Sequence, residues 1–271
     1  MIRIVEVGPR DGLQSIEKII PTEVKIALVD ALSQTGLDEI EVSSFVSPKW
    51  VPQLADAAEV FAGITRNPKV RYMALVPNEK GLDGAIAANP DKIAVFAAVS
   101  ETFNQKNINA TIAESMKRFR PVIARSPVPV RGYVSTAFYC PYEGKIAPKD
   151  VVEVIKQLLE LGCDEISIGD TIGKAQPDEV SELLAESLIV CPVEKTATHF
   201  HDTFGQAVDN AKAAAQMGIT IFDASTGGIG GCPFAPGAPG NVSTEALARA
   251  FETGLDLDAL ARASSIVQPY L

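Results

Sequence analysis

The chain alternates short apolar runs with longer stretches of helical periodicity from end to end. The apolar runs, rich in Val, Ile and Ala, predict eight strands at residues 2–8, 39–45, 70–76, 92–99, 129–138, 165–169, 195–201 and 219–225. The stretches between them predict eight helices at residues 22–36, 51–63, 79–88, 109–125, 148–162, 177–189, 205–217 and 243–253. Because the strands are apolar along their whole length, both faces of the sheet are expected to be covered by other elements.

Eight strand–helix units are the number that closes a parallel barrel. We therefore predict an α/β fold, a parallel TIM (β/α)8 barrel that forms a single domain over residues 1–271, with an extra C-terminal helix from about residue 256. A doubly wound open sheet is the alternative, and it usually has a G-x-G-x-x-G turn after its first strand. Here the first strand runs into residues 8–12 (GPRDG), which lack this spacing.

Composition narrows the function classes. The 271 residues carry a formal net charge of −10, and no nucleic-acid partner is expected because such binding needs a basic face. We find no apolar run long enough for a transmembrane helix and no signal or transit segment, so we expect a cytoplasmic protein with no membrane partner. The 4 Cys residues are widely spaced and form no C-x-x-C pair, as is typical of reduced thiols.

Polar residues collect where the predicted strands end, which is where a parallel barrel carries its active site. These residues are Arg10, Asp11, Glu41, Ser43, Ser44, Glu101, Lys106, Asn107, Asp170, Thr171, His199, His201, Asp202 and, after the eighth strand, Cys232 and Asn241. We therefore expect the functional site at this rim.

The two histidines are the sharpest signal, since the chain has no others. His199 and His201 stand at i and i+2 of one strand, face the same way and are roughly 7 Å apart between Cα atoms, so both can reach one metal ion. The alternative is a pair of polar barrel-interior residues that hydrogen-bond to carboxylates. Their pairing on one strand, followed by Asp202, favours a metal site.

Asp11 and Asn241 are the candidates for the remaining ligands, because strands one, eight and seven are neighbours in a closed barrel. Two oxygen donors with two imidazoles suit Mg²⁺ or Mn²⁺ better than a structural Zn²⁺. The alternatives are a turn residue for Asp11 and a helix N-cap for Asn241. Arg10 is expected to hold a carboxylate or a developing enolate oxygen. Its alternative role is an ion pair with Glu41 or Asp170.

Two further segments border the expected site. The loop 227–240 is rich in Gly and Pro and predicts a lid in which Cys232 transfers a proton or lines the pocket. The alternative for Cys232 is a small buried apolar residue. Lys106 and Asn107, after the fourth strand, are expected either to meet the phosphates or pantetheine chain of a substrate or to form a solvated turn.

Four segments together resemble one known family, namely residues 7–14 (VGPRDGLQ), 44–52 (SFVSPKWVP), 199–203 (HFHDT) and 230–233 (GGCP). Over essentially the whole chain, from residue 5 to about 257, the sequence is similar to the 3-hydroxy-3-methylglutaryl-CoA (HMG-CoA) lyase family. The related isopropylmalate and homocitrate synthases share the Arg-Asp-Gly start and the His-x-His pair. They lack the Gly-Gly-Cys-Pro loop and the Ser-Pro-Lys-Trp stretch.

The resemblance implies a TIM barrel that uses Mg²⁺ or Mn²⁺ to cleave its acyl-CoA substrate into acetyl-CoA and acetoacetate, and it suggests a homodimer. The expected site residues are, for the metal, Asp11, His199, His201 and Asn241; for catalysis, Arg10, Asp11, Cys232, His199, Glu41, Asp170 and Glu245; and for the substrate, Arg10, Gln14, Ser44, Lys106, Asn107 and Thr171. By matched motif, Arg10 would stabilise the enolate and Cys232 would be the active-site loop cysteine. Glu41, Asp170 and Glu245 would order the groups around the metal.

The sequence also leaves other functions open. Tyr139 stands where the family usually has Gly, and its ring is expected to shrink or reshape the acyl pocket, so a lyase for citramalyl-CoA is one alternative. A Claisen-type synthase acting on a 2-oxo acid is a second, although such enzymes often carry extra C-terminal domains. A catalytically silent barrel that serves as a binding subunit is the third, and the presence of every expected ligand disfavours it.

Overall fold

Eight parallel strands close into a barrel in the computed structural model, which describes residues 1–231 and 240–271. Within these residues the strands are β1 (Arg3–Glu6), β2 (Glu39–Ser44), β3 (Arg71–Leu75), β4 (Lys92–Ala98), β5 (Val130–Ser135), β6 (Tyr139–Cys140), β7 (Gly144–Lys145), β8 (Glu165–Asp170), β9 (Thr196–Phe200) and β10 (Ile221–Ala224). The order around the barrel is β1-β10-β9-β8-β5-β4-β3-β2, and β6 and β7 form a separate antiparallel hairpin. The predicted TIM barrel is therefore confirmed.

Helices follow the barrel strands and cover the outside of the sheet. They are α1 (Thr22–Leu32), α2 (Ala57–Gly63), α3 (Glu79–Ala88), α4 (Glu101–Ile108), α5 (Ile112–Arg125), α6 (Pro148–Leu161), α7 (Pro177–Ser187), α8 (Ala207–Gln216), α9 (Thr244–Ala250) and α10 (Leu257–Ser265). Their apolar faces and the outward-facing strand residues form one large core. The predicted extra helix, α10, packs beside α1 and α9. No helix in the described ranges is both long and apolar enough to cross a membrane.

The region after β4 differs from the sequence-based expectation, because it contains an additional helix, α4. Ser100 begins this helix, since its hydroxyl accepts a hydrogen bond from the amide of Phe103. Asn109 ends it in the left-handed conformation at φ 50°. The alternative in which Lys106 and Asn107 form a solvated turn is therefore wrong, because both lie on this helix.

Two other predicted elements are shorter than expected. The predicted helix 51–63 is interrupted, because a 3-10 turn at Pro52–Leu54 precedes α2. The predicted strand 129–138 stops at Ser135, after which Thr136 takes a positive φ of 56° and breaks the extended conformation. The hairpin of β6 and β7 follows this break.

Charged side chains occupy the N-terminal end of the barrel interior, and we call them the N-terminal ion-pair cluster. Lys92 Nζ lies 2.9 Å from Glu39 Oε1 and 2.7 Å from Glu165 Oε1. Arg3 pairs with Glu165 at 2.5 Å and Arg71 with Glu39 at 2.9 Å. The five residues are the first residues of their strands, so the cluster lies at the end of the barrel opposite to the predicted site.

Candidate active site

The chain reverses after β1 in a π-helical turn, Gly8–Gly12, which carries two of the predicted site residues. The three consecutive amides from residue 10 to residue 12 all point at the carbonyl oxygen of Val7, at 3.2, 2.8 and 3.2 Å. Wide turns of this kind are rare and are frequently found at functional sites. The turn brings Arg10 Nη1 to 2.7 Å from Asp11 Oδ1 at the C-terminal rim of the barrel.

Asn241 lies beside Asp11, although the two are far apart in sequence. Asn241 Nδ2 donates a hydrogen bond to Asp11 Oδ2 at 3.0 Å. Two glycines allow this approach, because a Cβ on Gly12 would lie 2.8 Å from the oxygen of Ile229 and a Cβ on Gly230 would lie 2.7 Å from Asn241 Nδ2. A larger residue at either position would push the two segments apart.

His199 on β9 and His201 just after this strand both lie close to the carboxylate of Asp11. The ring centroids of His199 and His201 are 5.3 Å apart. One donor atom from each of Asp11, His199 and His201 lies within 4.8 Å of the other two. Asn241 pairs with His201 through an isolated antiparallel bridge, and Ser243, rather than Asn241, caps α9. The structure therefore brings together all four residues that the sequence nominates as metal ligands.

The donor atoms of this group fit a divalent cation. His201 Nδ1 and Asn241 Oδ1 are buried and have no hydrogen-bond partner among the described residues. A buried polar atom without a partner costs about 1–3 kcal/mol, so its presence indicates that a ligand normally satisfies it. One carboxylate oxygen, one amide oxygen and two imidazole nitrogens form the mixed set that suits Mg²⁺ or Mn²⁺.

The electrostatics favour the metal-binding protonation states of Asp11 and His201, whereas His199 is shifted the other way by its acidic neighbours. Burial raises the pKa of Asp11, but the charges of Arg10 and the two imidazoles outweigh it and lower this pKa to about 2, so the carboxylate is ionised. Burial and the neighbouring His199 lower the pKa of His201 to about 4, so this imidazole is neutral at pH 7. For His199, burial lowers the pKa, and the carboxylates of Asp223 and Asp11 more than offset that effect and raise it.

Besides Asp11, Arg10 contacts a second carboxylate, that of Glu41. Arg10 Nε donates to Glu41 Oε2 at 2.7 Å, and Tyr133 Oη donates to the same oxygen at 3.2 Å. A β-bulge between Glu41 and Ser43 shifts the pleat of β2, so both Glu41 and Ser44 face the barrel interior. Burial opposes the charge on Arg10, but the two acidic neighbours raise its pKa well above its ordinary value. The predicted ion pair with Glu41 is therefore present.

A cavity of about 490 Å³ lies over these groups. Of the predicted substrate residues, those that line it are Arg10, Gln14, Ser44, Asn107 and Thr171. Gln14 Nε2 also donates to Asp11 Oδ1 at 3.0 Å, so this side chain orients the carboxylate. Apolar side chains, among them Trp50, Phe103 and Ile108, form much of the remaining wall. The volume is in the range of roughly 300–1,000 Å³ that is usual for small-molecule sites.

Three predicted site residues, Asp170, Glu245 and Lys106, do not line this cavity. The carboxylate of Asp170 accepts hydrogen bonds from the amides of residues 174 and 175, at 3.2 and 2.9 Å, and burial raises its pKa to about 6. Glu245 accepts from the hydroxyl of Thr226 and from the amide of Gly227. These two carboxylates therefore hold the loops after β8 and β10. Lys106 Nζ lies 4.1 Å from the ring centroid of Tyr142 and is not part of the cavity wall.

Two further expectations concern Cys232 and Tyr139. Cys232 lies outside the described residues. Tyr139 Oη donates to Glu179 Oε1 at 2.7 Å, and its ring is not part of the cavity wall. The expectation that this ring narrows the acyl pocket is therefore wrong, because the side chain is tied to α7.

Sequence reasoning missed the buried charges beneath the site. Asp223 Oδ2 accepts from Ser167 Oγ at 2.7 Å and lies 3.4 Å from His199 Nδ1. Asp223 Oδ1 lies 2.6 Å from Nη1 of Arg131, whose side chain is fully buried. A charged residue inside an otherwise apolar strand, as in residues 221–224 (IFDA), is the signal that identifies such positions.

Glu6 is another buried acid that the sequence did not single out. Its Oε1 accepts from the amides of Gly8 and Thr226 at 2.8 and 2.9 Å, and its Oε2 accepts from the hydroxyl of Thr244 at 2.7 Å. Burial raises the pKa of Glu6 to about 7, although the hydrogen bonds partly counteract it. Glu6 thus joins the π-helical turn to the loop after β10.

The fold and the site together define a barrel enzyme of the divalent-metal type. The HMGL-like family model matches residues 1–267. A Danio rerio protein named 3-hydroxy-3-methylglutaryl-CoA lyase, cytoplasmic, is 53% identical over 264 residues, which cover 94% of this chain and 79% of that protein. A Bos taurus protein named hydroxymethylglutaryl-CoA lyase, mitochondrial, is 50% identical over 274 residues, which cover 98% of this chain and 84% of that protein.

A solved structure is similar over the same extent. The crystal structure of the HMG-CoA lyase from Brucella melitensis has a TM-score of 0.97 and 50% sequence identity, and the match covers 99% of this chain and 98% of that one. The chain therefore belongs to the HMGL-like family. This is a family of divalent-metal carbon–carbon lyases, so the protein is an enzyme.

Proposed function

We propose that this chain cleaves HMG-CoA into acetyl-CoA and acetoacetate with Mg²⁺ or Mn²⁺ as its cofactor. The observation that carries the proposal is the convergence of Asp11, His199 and His201 beside Arg10 in the wall of a ligand-sized cavity, with Asn241 hydrogen-bonded to Asp11. The names of the relatives that are about 50% identical to this chain support the choice of substrate.

The four converging side chains would hold the cation. When bound, a divalent ion supplies Lewis-acid polarisation to the substrate oxygens. The mixed oxygen and nitrogen donors support Mg²⁺ or Mn²⁺, since a structural Zn²⁺ site would draw on thiolates. Glu41, Asp170 and Glu245 act behind this group by orienting Arg10 and by holding the loops after β8 and β10.

The chain's own residues move the protons and hold the developing charge. In this proposal Asp11 or one of the two imidazoles accepts the proton of the C3 hydroxyl. The C2–C3 bond then breaks, C3 becomes the ketone carbon of acetoacetate, and the electron pair leaves as the enolate of acetyl-CoA. Arg10 stabilises the enolate oxygen, a contribution of about 10²–10³ in rate. A proton from Cys232 or His199 returns to C2 and completes acetyl-CoA.

The cavity wall supplies the contacts that orient the substrate. Thr171 Oγ1 accepts a hydrogen bond from the amide of Thr136 at 2.7 Å, which leaves the threonine O–H free to donate to a substrate oxygen. Ser44 and Gln14 add polar groups, and Asn107 lies near the entrance on α4. We assign Lys106 to the phosphates of CoA, because it is an exposed cation on the same helix.

A panel of thioesters tests the substrate. Purified protein would be incubated with HMG-CoA or citramalyl-CoA in Mg²⁺, Mn²⁺ or chelator, and acetyl-CoA release would be followed. We expect HMG-CoA to be cleaved with either metal and the reaction to stop in chelator. Cleavage of citramalyl-CoA alone, or release of free CoA only from acetyl-CoA with a 2-oxo acid, would contradict the proposal. Absence of both metal and turnover would indicate a silent barrel.

We also propose a cytoplasmic homodimer. The Danio rerio relative is named cytoplasmic and the Bos taurus relative mitochondrial, so the relatives occur in both compartments. Exposed apolar side chains, including Ile189 and Phe204, are compatible with a subunit interface. Light scattering on the purified chain should give twice its mass of 28.8 kDa. A single-chain mass would contradict the dimer.

A further inference from the structure

The barrel interior contains one arginine that contacts the supports of both halves of the site. Arg131 lies on β5 and is fully buried. Its Nη1 lies 2.6 Å from Asp223 Oδ1 and donates to Tyr133 Oη at 3.3 Å. Its Nε lies 2.8 Å from Glu165 Oε1, so the N-terminal ion-pair cluster fixes the guanidinium from the opposite side.

One branch runs from Arg131 to the metal side of the site. Asp223 is 1% exposed and uses one oxygen for Arg131. Its other oxygen accepts from Ser167 Oγ at 2.7 Å and faces His199 Nδ1 at 3.4 Å. At this distance His199 Nδ1 makes no hydrogen bond, and the positioning role assigns the other ring nitrogen, Nε2, to the cation. Carboxylates behind ligating imidazoles fix the orientation of the ring and are typically worth 10–100-fold in metal affinity or activity.

The other branch runs from Arg131 to Arg10. Tyr133 Oη accepts from Arg131 and donates to Glu41 Oε2 at 3.2 Å. The same Glu41 oxygen accepts from Arg10 Nε at 2.7 Å. Glu41 and Tyr133 are both buried, and the low dielectric of the interior strengthens the hydrogen bonds that orient the guanidinium of Arg10.

We propose that Arg131 is a positioning residue that orients His199 through Asp223 and Arg10 through Tyr133 and Glu41, in two branches that can be separated by mutation. The inference rests on the proposed function, because it assigns His199 to the cation and Arg10 to the enolate. A purely structural role would require only that the buried charges neutralise one another. A positioning role, unlike a structural one, predicts that the Asp223 branch changes Mn²⁺ affinity and that the Tyr133 branch changes kcat.

Asp223→Asn tests the metal branch without altering side-chain size. We expect the Mn²⁺ dissociation constant of the substrate-free protein, measured by the EPR signal of free Mn²⁺, to rise 10–100-fold. Tyr133→Phe should leave the same constant within about twofold, because its hydroxyl contacts Arg131 and Glu41 but neither Asp223 nor His199. Mn²⁺ binding by Asp223→Asn at wild-type strength would overturn the metal branch.

Tyr133→Phe tests the Arg10 branch. The same substitution in an Arg10→Met variant separates an effect through Arg10 from direct contact between the tyrosine and the substrate. Tyr133 also lines the cavity, so its loss alone is ambiguous. We expect kcat to fall about tenfold in the wild type with little change in KM, and to show no further fall in the Arg10→Met background. Equal losses in both backgrounds would overturn this branch, because the hydroxyl would then act without Arg10.

Tyr72→Phe is the matched control for the removal of a buried tyrosine hydroxyl. Tyr72 is 1% exposed and bonds to Ser33 and to the amide of Asn67, outside the barrel interior. It should lower stability while leaving kcat and Mn²⁺ affinity unchanged. Failure of the proposed function is distinguishable from failure of this inference. A wild-type protein that binds Mn²⁺ but leaves HMG-CoA intact contradicts the function. An active wild type contradicts the positioning role if Asp223→Asn keeps its Mn²⁺ affinity and Tyr133→Phe keeps its kcat.

Discussion

Charged side chains are buried at both ends of this barrel, but their hydrogen bonding differs. At the N-terminal end, Lys92 lies between Glu39 and Glu165 at 2.9 and 2.7 Å, and two arginines pair with the same carboxylates. At the C-terminal rim, His201 Nδ1 and Asn241 Oδ1 are buried, and no described residue bonds to either atom. Both regions are polar, but each carboxylate oxygen of Glu39 and Glu165 lies within 3 Å of a cation, whereas the two rim atoms have no partner among the described residues.

This difference distinguishes structural charge from functional charge. Buried ions are tolerated when partners neutralise them, as in the N-terminal ion-pair cluster. Charges that are paired in this way are not available to bind a ligand. A buried polar atom without a partner lowers stability, so such an atom is explained when a ligand or an ion binds it. Substitutions in either region, or in residues that support it, therefore separate the two kinds of buried charge.

The largest expected effect is on stability, from Lys92→Met at the N-terminal end. The variant removes the cation that Glu39 and Glu165 share, and breaking a buried pair costs about 3–5 kcal/mol. Arginines remain beside both carboxylates, so we expect a loss of about 3 kcal/mol, at the lower end of that range. Urea unfolding measures this loss. Mn²⁺ affinity of the folded variant should stay close to that of the wild type, because the cluster lies at the opposite end of the barrel from the metal ligands.

Arg125→Met is the matched control for the removal of a cation. Arg125 pairs with Glu79 and Asp83 at 3.0 and 2.7 Å, but all three side chains are exposed. Its loss should leave the urea midpoint unchanged, since exposed pairs contribute little. Equal destabilisation by the two variants would contradict the distinction between buried and exposed pairs.

Arg10→Met perturbs the rim and should act on turnover. The variant removes the cation next to Asp11, so kcat should fall about 10²–10³-fold while Mn²⁺ affinity changes less than about threefold. Steady-state kinetics and a Mn²⁺ titration measure the two quantities. A parallel loss of both would show that Arg10 supports the metal group rather than the enolate.

Glu6→Gln should change how stability depends on pH. The folded pKa of Glu6 is about 7 and its ordinary value is 4.5, so between these values the native state binds more protons than the unfolded state. Wild-type stability should therefore fall as pH rises from 4.5 to 7, by on the order of 3 kcal/mol from this group. Urea unfolding of Glu6→Gln should lack this fall, and an identical pH slope in both proteins would exclude Glu6 as its source.

Glu245→Gln should have the smallest effect. The carboxylate of Glu245 accepts from Thr226 and Gly227, and loss of its charge weakens those hydrogen bonds by about 1 kcal/mol. The urea midpoint should fall slightly and kcat should fall less than in Arg10→Met. A loss of turnover as large as that of Arg10→Met would place Glu245 in direct contact with the reacting groups.

Periodicity was sufficient to predict the barrel, because apolar runs and helical stretches alternate eight times with ordinary spacing. It also placed Asp11, His199, His201 and Asn241 at one rim, since strand ends meet there in any closed parallel barrel. The additional helix α4 was not predicted, because it depends on the Ser100 cap and on a weakly amphipathic segment with little periodic signal.

Other features depend on tertiary contacts that a single sequence does not display. Asp170 follows the strand-end rule and Glu245 was nominated by the resemblance, yet the carboxylates of both accept hydrogen bonds from nearby backbone amides. Asp223 and Arg131 are far apart in sequence and bond to each other only because β5 and β10 border the same barrel interior. The π-helical turn at Gly8–Gly12 likewise depends on close glycine contacts with the loop after β10.

A titration of the purified protein with Mn²⁺, followed by EPR, tests the metal group most directly. We predict one tightly bound ion per chain, and we predict that His201→Ala and Asp11→Asn each weaken its binding by at least about 10²-fold, because each removes a ligand rather than its support. Binding of Mn²⁺ to both variants with wild-type affinity, or no binding by the wild type, would contradict the assignment of these side chains to a cation.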